Sequence, residues 1–446
     1  MNLLFLAPSA YLLGGVQVWL ADLVPGLRKR GWQVQVALAS GEWHDVASYS
    51  RAFPELPVVA VDNPTGTEEG RLRSLGRLLE EQQPDLVVGV NIAALYPAVA
   101  RLRRRGAFRG RTVMTLHGLQ SDLLANLAAQ RKVIDAVIAT NRLACALCCE
   151  EAGMPENRVL YAPYGVDVDP RPMVPPPGGP PGGPLRIAWI GRLSEAQKRV
   201  LDLPAILGQL DRRNLDYCLS IAGGGPDAAA METVLAPWTR RGTVRLLSRL
   251  DAEALRSQVY ANHHALLITS NWETGPIVAW EAMAAGLAVV SSRYVGHRLE
   301  GALEDGINAL LFDVGDASGA ADQLERLNDP GLRARIVEAG HRLVRERYTR
   351  GASLLAWDRA LQDALALPPL PSPDPATPLP ARGRLDRWLG AARAEDLRQL
   401  LGLRFPHPEP GSEWPHAEGE GGDEALLLRM AAAMEAPDPE VSEVEP

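Results

Sequence analysis

Four short segments carry side chains suited to a phosphorylated ligand, and each follows an apolar, strand-like run in the second half of the chain. The first, GRLSEAQKR at 191–199, puts Arg192 and Lys198 on one short loop beside Gly191. A bidentate guanidinium with a compact ammonium suits a diphosphate, although two such residues can equally be solvated surface charges. Only Lys29, Lys132 and Lys198 among 46 basic residues are lysines, so a lysine at this place is informative. Gly223-Gly224-Gly225-Pro226 leaves the next strand-like run. Glu273-Thr274-Gly275-Pro276 follows ALLITS, and Tyr294-Val295-Gly296-His297 follows LAVVSS. Pro276 and Gly286 frame a helix over 276–285, whose N-terminal N–H groups offer a seat for phosphate. Within that apolar helix Glu281 needs a partner, either a structural ion pair or sugar hydroxyls for which it is the acceptor. Glu273 lies just before the helix, as a solvated loop acid or a ligand contact.

These segments need strands to aim them. Before residue 170, apolar or β-branched runs at 2–7, 33–39, 58–62, 85–90, 112–116, 136–140 and 159–162 alternate with helical patterns. Val16, Leu20, Leu23 and Leu27 share one helical face, and Gly31 follows as a stop. Residues 170–184 hold eight prolines and four glycines, a composition that forms neither helix nor central strand and reads as a linker. The grammar then restarts at 185–190, 218–222, 244–247, 265–269, 287–291 and 309–312. The expected fold class is therefore α/β, two doubly wound domains in tandem with a ligand cleft between them. The boundaries are 1–169, a linker at 170–184, 185–349, a closing helix at 350–366, and a Pro-rich acidic tail at 367–446. That tail reads as loose, partly disordered chain with two amphipathic helices, at 384–403 and 423–436. Trp388, Leu389, Leu397, Leu400 and Leu401 have the spacing to dock the first of these on the body.

Composition narrows the function classes. The formal charge is −8, and residues 366–446, with 7 Arg against 15 acids, hold all of it. A neutral body gives no basic footprint for nucleic acid. Four cysteines do not build a secreted disulfide framework, the first seven residues are too short for a signal core, and no apolar run is long enough to span a bilayer. A cytoplasmic protein is expected, with peripheral membrane contact left open.

Other motifs are weaker. Gly223–Ala228 satisfies G-x-G-x-x-A, but Pro226 removes an N–H from the turn, which favours a glycine turn that lets a nucleotide approach over a nicotinamide site. Gly14-Gly15 follows the first strand and permits close backbone approach, and His117 ends another strand facing the same cleft. Asp167-Val168-Asp169 has the form of a metal-binding pair but adjoins the linker. Cys145, Cys148 and Cys149 share a helix face without a second cluster to complete a zinc site, and His263-His264 has no partner motif.

Taken together these residues resemble the retaining glycosyltransferases of family 4, over about residues 1–365. Glu273 with Glu281, seven residues between them, followed by Ala282-Met283-Ala284-Ala285-Gly286, carries most of the likeness. Gly191-Arg192-Leu193 with Lys198, Ala222-Gly223-Gly224-Gly225-Pro226 and Gly165-Val166-Asp167 reinforce it. The resemblance implies a GT-B fold, two Rossmann-like domains facing a central cleft. It implies transfer of a sugar from a nucleoside-diphosphate sugar to a glycan, lipid-linked or small-molecule acceptor, with retained configuration and no metal or other cofactor. Arg192 and Lys198 would hold the diphosphate, Glu273 the donor sugar and Glu281 the ribose, with Gly191, Gly224, Gly225 and Gly275 at the donor. Gly14, Gly15 and His117 would line the sugar and acceptor side. Two departures stand out: Thr274-Gly275-Pro276 replaces the family's common Gly-Phe-Gly, and Arg199 stands where a glycine often follows the lysine. A catalytically silent nucleotide-sugar-binding protein and, less favoured, a nicotinamide-dependent oxidoreductase remain the alternatives.

Overall fold

The computed structural model describes residues 1–7, 15–39, 46–119, 121–168, 183–371, 379–405 and 424–435, without the side chains of 15–18 and 424. The chain divides into two compact units, the first from Met1–Thr140, Ala144–Ala162 and Leu354–Leu427, the second from Asn141–Leu143, Pro163–Ser353 and Leu428–Pro446. Most of the proline-rich linker lies outside the described residues.

The first unit holds seven parallel strands: β1 (Asn2–Ala7), β2 (Gln33–Ala39), β3 (Val58–Val61), β4 (Leu86–Val90), β5 (Arg111–Leu116), β6 (Ala136–Ala139) and β7 (Val159–Tyr161). Their order is β3-β2-β1-β4-β5-β6-β7. Central strands such as Leu3–Ala7 and Leu86–Val90 are buried throughout, because helices cover both faces of a parallel sheet and leave no polar side. The edge strands β3 and β7 are shorter and only half-buried, as edges require. The helix Glu68–Gln82 starts where the sequence permits it: Thr67 accepts from the Gly70 N–H, and Glu68 and Glu69 fill the positive first turn. Residues 354–366 of the helix Arg350–Ala366 return to this unit, where Asp358 accepts from Trp32 Nε1 at 2.7 Å and Arg30 Nε at 2.6 Å.

After residue 366 the first of the two helices that the sequence pattern suggests forms at Arg384–Leu401. The helix Arg384–Leu401 packs on Glu68–Gln82, and it does so through polar groups rather than its leucines. Glu395 is wholly buried and accepts from Thr65 Oγ1 at 2.7 Å and Thr67 Oγ1 at 2.5 Å. Arg398 pairs with Asp386 at 2.7 Å with both side chains buried, and Arg73 reaches Asp396 at 2.5 Å. Burying a charge is costly unless its hydrogen bonds are satisfied: Glu395 is held by two hydroxyls and Arg398 and Asp386 hold each other, while the Arg73–Asp396 pair lies at the surface. Trp388, Leu389, Leu400 and Leu401, which the helical spacing offers as the docking face, remain exposed. A further helix, Glu424–Glu435, follows.

The second unit contains β8 (Leu185–Ile190), β9 (Tyr217–Ala222), β10 (Val244–Leu247), β11 (Ala265–Ile268), β12 (Ala288–Ser292) and β13 (Leu310–Phe312), all parallel, in the order β10-β9-β8-β11-β12-β13. Alternate residues of one strand enter opposite cores: Ile187 and Trp189 join Leu219, Ile221 and Leu267 on one face, while Ala188 joins Ala222, Leu266 and Ile268 on the other. Period-two alternation with both faces apolar is the signature of a sheet clad by helices on both sides. From β8 the chain first builds outward to β9 and β10, then returns to lay β11 on β8's other flank. The carboxyl ends of β8 and β11 therefore border a topological switch point, where open α/β sheets hold ligands. No helix among the described residues is long and apolar enough to cross a membrane.

Candidate active site

Three of the four sequence segments meet at that switch point, and the fourth is tied to them through the β8 loop. After β8 the chain makes one helical turn, Glu195–Lys198, and Lys198 Nζ reaches Glu273 Oε1, on the loop after β11, at 2.5 Å. Backbone bonds fix the approach. Asn271 N–H donates to Gln197 O at 2.8 Å, and Thr269 Oγ1 donates to Lys198 O at 2.6 Å while accepting from Trp189 Nε1 at 3.1 Å. Glu273 is buried, and Ser270 Oγ donates to the same Oε1 at 2.5 Å. Its Oε2 has no hydrogen-bond partner among the described residues. The β12 loop completes the frame: Glu273 N–H donates to Val295 O, and a side chain at Gly296 (φ 109°) would strike Glu273 O at 2.6 Å.

Arg192, on the same loop as Lys198, is exposed, and its guanidinium has no hydrogen bond or ion pair with any described residue, although its carbonyl accepts from Ser194 N–H at 2.9 Å. Arg199, by contrast, is spent on Asp202, with Nε at 2.7 Å and a second bond at 3.0 Å. Its φ of 48° is left-handed, a conformation that glycine adopts without strain. The local backbone here is one a glycine would favour, and Arg199 holds it with a two-bond clamp.

The Gly-rich turn after β9 has an internal cause. A Cβ at Gly223 (φ 155°) would lie 1.9 Å from Gly191 O, and one at Gly225 would lie 2.3 Å from Leu193 O. Leu193 N–H donates to Gly224 O at 3.0 Å, so the turn is locked to the β8 loop that carries Arg192 and Lys198. Gly224 faces open space. Gly191 itself would tolerate a Cβ, whose nearest neighbours are Trp189 and the Lys198 stem at 3.4 and 3.5 Å. Gly275 adopts a φ of 86° before Pro276, and no side chain caps the helix Ile277–Ala284 that follows.

That helix is set by its buried face, Ala279, Trp280, Ala282 and Met283, with Trp280 stacked on Tyr348 at 4.3 Å between centroids. The face leaves Glu281 half-buried, with Oε2 accepting from Tyr260 Oη at 2.7 Å. Its partner is thus a neutral hydroxyl and not the ion pair that the sequence allowed. Burial raises the Glu281 pKa, against the opposing pull of the Tyr260 bond and of Arg256 and Arg350. Oε1 is left without a hydrogen bond among the described residues. Asp167 pairs with Arg350 at 2.8 Å, while Asp169 lies outside the described residues.

In the first unit Gly15 begins the helix Gly15–Lys29, and Gly14 lies outside the described residues. His117 follows β5, buried between Trp19 (4.6 Å) and Trp357 (6.3 Å), with Nε2 3.1 Å from Thr115 Oγ1. Burial pushes its pKa down to about 3, so the imidazole is neutral at physiological pH. His263 bonds Val259 O and Ser220 Oγ through its two nitrogens, which accounts for it as a structural residue. Among the described residues no group of three His, Cys, Asp or Glu side chains is placed to hold a metal.

Two residues that sequence reasoning missed orient the carboxylates. Ser270 sits three positions before Glu273 and could have been found from that spacing. Tyr260 is 21 positions from Glu281, beyond a π-helical turn at Leu255–Val259, and no local pattern announces it.

Comparison with known proteins bears on the family and the fold. Residues 13–170 match the model described as Glycosyltransferase Family 4, and residues 184–329 match that described as Glycosyl transferases group 1. The chain is 35% identical over 181 residues to the phosphatidyl-myo-inositol mannosyltransferase of Mycolicibacterium smegmatis, covering 39% of this chain and 44% of that protein. It is 30% identical over 193 residues to the D-inositol 3-phosphate glycosyltransferase of Actinosynnema mirum, covering 41% and 43% respectively. The matches thus span less than half the length of these curated relatives. Among solved structures, the apo lipopolysaccharide outer core galactosyltransferase WaaB superposes with a TM-score of 0.66 at 17% identity, over 81% of this chain and 99% of that one. Anabaena Alr3699/HepE in complex with UDP gives 0.65 at 18% identity, over 81% and 100%. At such identities the likeness carries the fold alone, the two Rossmann-like sheets of GT-B proteins. The two family models follow one another in the order of the two sheets, and together they span most of the sequence: the chain belongs to the family 4 glycosyltransferases.

Proposed function

We propose that this protein transfers a glycosyl group from a nucleoside-diphosphate sugar to an acceptor, with retention of anomeric configuration and without a divalent metal. The observation that carries the reading is the Lys198–Glu273 pair at the switch point of the second sheet, beside a partnerless Arg192 and a helix start that no side chain caps. Solved neighbours of the same fold hold UDP and UDP-glucose, and the sequence relatives are glycosyltransferases, which supports the same donor class.

In this reading Arg192 and Lys198 hold the diphosphate, joined by the N–H groups that open the helix Ile277–Ala284. As the glycosidic bond breaks, negative charge grows on the departing diphosphate, and these groups meet it already in place. That is the work a divalent ion would otherwise do. Lys198 has three donors, of which Glu273 takes one, so the ammonium can hold the carboxylate and a phosphate oxygen together. Glu273 Oε2 is available to accept from a donor-sugar hydroxyl, and Glu281 Oε1 from the ribose. The Gly224–Leu193 and Thr269–Lys198 bonds keep the cation loop fixed while charge develops. The acceptor is assigned to the side of the first sheet where Gly15 and His117 lie.

The test is a thermal-shift screen of nucleoside-diphosphate sugars followed by turnover of whichever donor stabilises the chain. A ligand at 100 times its Kd adds about 2.7 kcal/mol of apparent stability. Turnover in the presence of a chelator and the anomeric proton coupling of the product then check metal independence and retention. No stabilisation by any donor would overturn the reading. Turnover abolished by chelation, or an inverted product, would remove those parts of it.

A further inference from the structure

The helix Arg384–Leu401 lies outside both matched family segments and outside the donor site described above. It is broken at Gly390, where φ 77° and ψ 155° are not helical, and it is seated through Asp386, Ala394, Glu395 and Arg398. Opposite that seat, Trp388 is 89% exposed and Leu400 81%. Of the twelve large apolar side chains exposed among the described residues, five, Trp388, Leu389, Leu400, Leu401 and Leu403, fall within this one stretch. Scattered apolar residues on a surface need no explanation, but a cluster does.

Cations accompany the cluster. Arg384 lies one helical turn before Trp388 and Arg393 one heptad before Leu400, so each shares the outward face of its apolar neighbour. Arg384, Arg387 and Arg393 are exposed and have no ion-pair partner among the described residues. Alongside, a groove of about 690 Å³ between the helices Glu68–Gln82 and Leu95–Arg104 touches Gln399 and carries five arginines. Three of the five are ion-paired, Arg73 with Glu69 and Asp396, Arg101 with Glu69, and Arg105 with Glu80, which leaves Arg77 and Arg104 as the charges of the groove without an ion pair among the described residues. The face therefore combines surplus positive charge with exposed tryptophan and leucine.

We propose that this face docks on an anionic phospholipid bilayer. A second copy would bring the same positive charge against it, and a nucleic acid would use the arginines but leave the leucines in water. A bilayer uses both, with arginines at phosphate depth, tryptophan at the headgroup boundary and leucines at the acyl edge. The proposal does not depend on the donor reading above, and its test needs no turnover.

Vesicle sedimentation of the full chain decides it, with phosphatidylcholine alone and with about one-third phosphatidylglycerol, at low and high salt. Binding is expected only to the anionic vesicles and weakens with salt. Replacing Arg384, Arg387 and Arg393 together by glutamine weakens it by about 100-fold, roughly fivefold for each arginine near an anionic leaflet. Trp388→Ala with Leu400→Ala costs about tenfold through lost apolar burial. All five side chains are exposed, so unchanged melting curves will confirm intact folds. Absent or equal binding to both vesicle types, or variants that bind like the parent, would overturn the proposal. So would self-association lost in Leu400→Glu without vesicle binding, or oligonucleotide binding that depends on the arginines and ignores Trp388.

Discussion

Replacing Glu281 by glutamine separates what this carboxylate does for the fold from what it does for a ligand. Burial raises its pKa above the ordinary 4.5, so the folded chain holds the proton more tightly than the unfolded chain. For an acid shifted in that direction, stability is greatest at low pH, where both states are protonated, and falls as pH rises through the interval between the two pKa values. At neutral pH the native protein therefore bears the charge at a cost. Glu281→Gln removes the charge and leaves an amide oxygen to accept from Tyr260, so the ligand-free melting temperature stays level or rises. Binding moves the other way. A hydrogen bond to a charged group is worth about 1.5–3 kcal/mol, so nucleoside-diphosphate affinity falls about 10- to 150-fold. Calorimetric titration of a nucleoside diphosphate and its 2′,3′-dideoxy analogue against both proteins reads the effect. The analogue, with no hydroxyls to offer, should bind parent and variant alike. Parent affinity should also decline on acidification from a higher pH than a solvated carboxylate would give, and the variant should lack that acid limb. Unchanged affinity in a well-folded variant would mean that Glu281 serves only Tyr260.

Arg192→Ala or Lys198→Ala should lower kcat by roughly 10²- to 10³-fold, the loss that follows removal of one preorganised donor at a developing charge; steady-state kinetics with near-parental turnover in either would sink the assignment. Gly223→Ala should destabilise severely, since its Cβ would meet Gly191 O at 1.9 Å, whereas Gly224→Ala, in open space, should fall within about 0.5 kcal/mol of the parent in denaturant titration. Equal effects of the two would show that the turn is not held by the β8 loop. Glu395→Gln should cost about 1.5–3 kcal/mol by weakening a buried charged acceptor for Thr65 and Thr67, while donor affinity is unchanged. A melting temperature equal to the parent's would mean that the C-terminal helix does not brace the first unit.

Sequence patterns reveal what is local. β1, β2, β8 and β10 occupy the residues their apolar runs imply. Lys198 and Glu273 meet because both leave neighbouring strands of one parallel sheet, and parallel order sends every strand's carboxyl end to the same side. What stayed hidden depended on partners far along the chain or on a choice between faces. Tyr260 reaches Glu281 from just beyond a π-helical turn, whose geometry no residue pattern encodes. Glu395 lies 328 positions from Thr67, and an acid in a charged helix reads as solvated until its hydroxyl partners are seen. The leucine spacing of Arg384–Leu401 misled for a related reason: amphipathicity identifies two faces but not which of them is covered. Averaging the tail's charge hid a division too, since residues 405–446 carry eleven acids and one arginine, while the helix before them is basic.

The clamp of Arg199 on Asp202 bears on product release. Three cations stand in a row of eight residues on the β8 loop: Arg199 is neutralised by Asp202 within its own turn, Lys198 shares its charge with Glu273 across the switch point, and Arg192 has no ion pair among the described residues. In the proposed reaction a cation that gripped the diphosphate equally before and after transfer would slow the enzyme at its last step, because uniform binding strengthens product as much as substrate. On that proposal, keeping the third charge at home would limit the loop's hold on the spent nucleotide to two side chains and let it release.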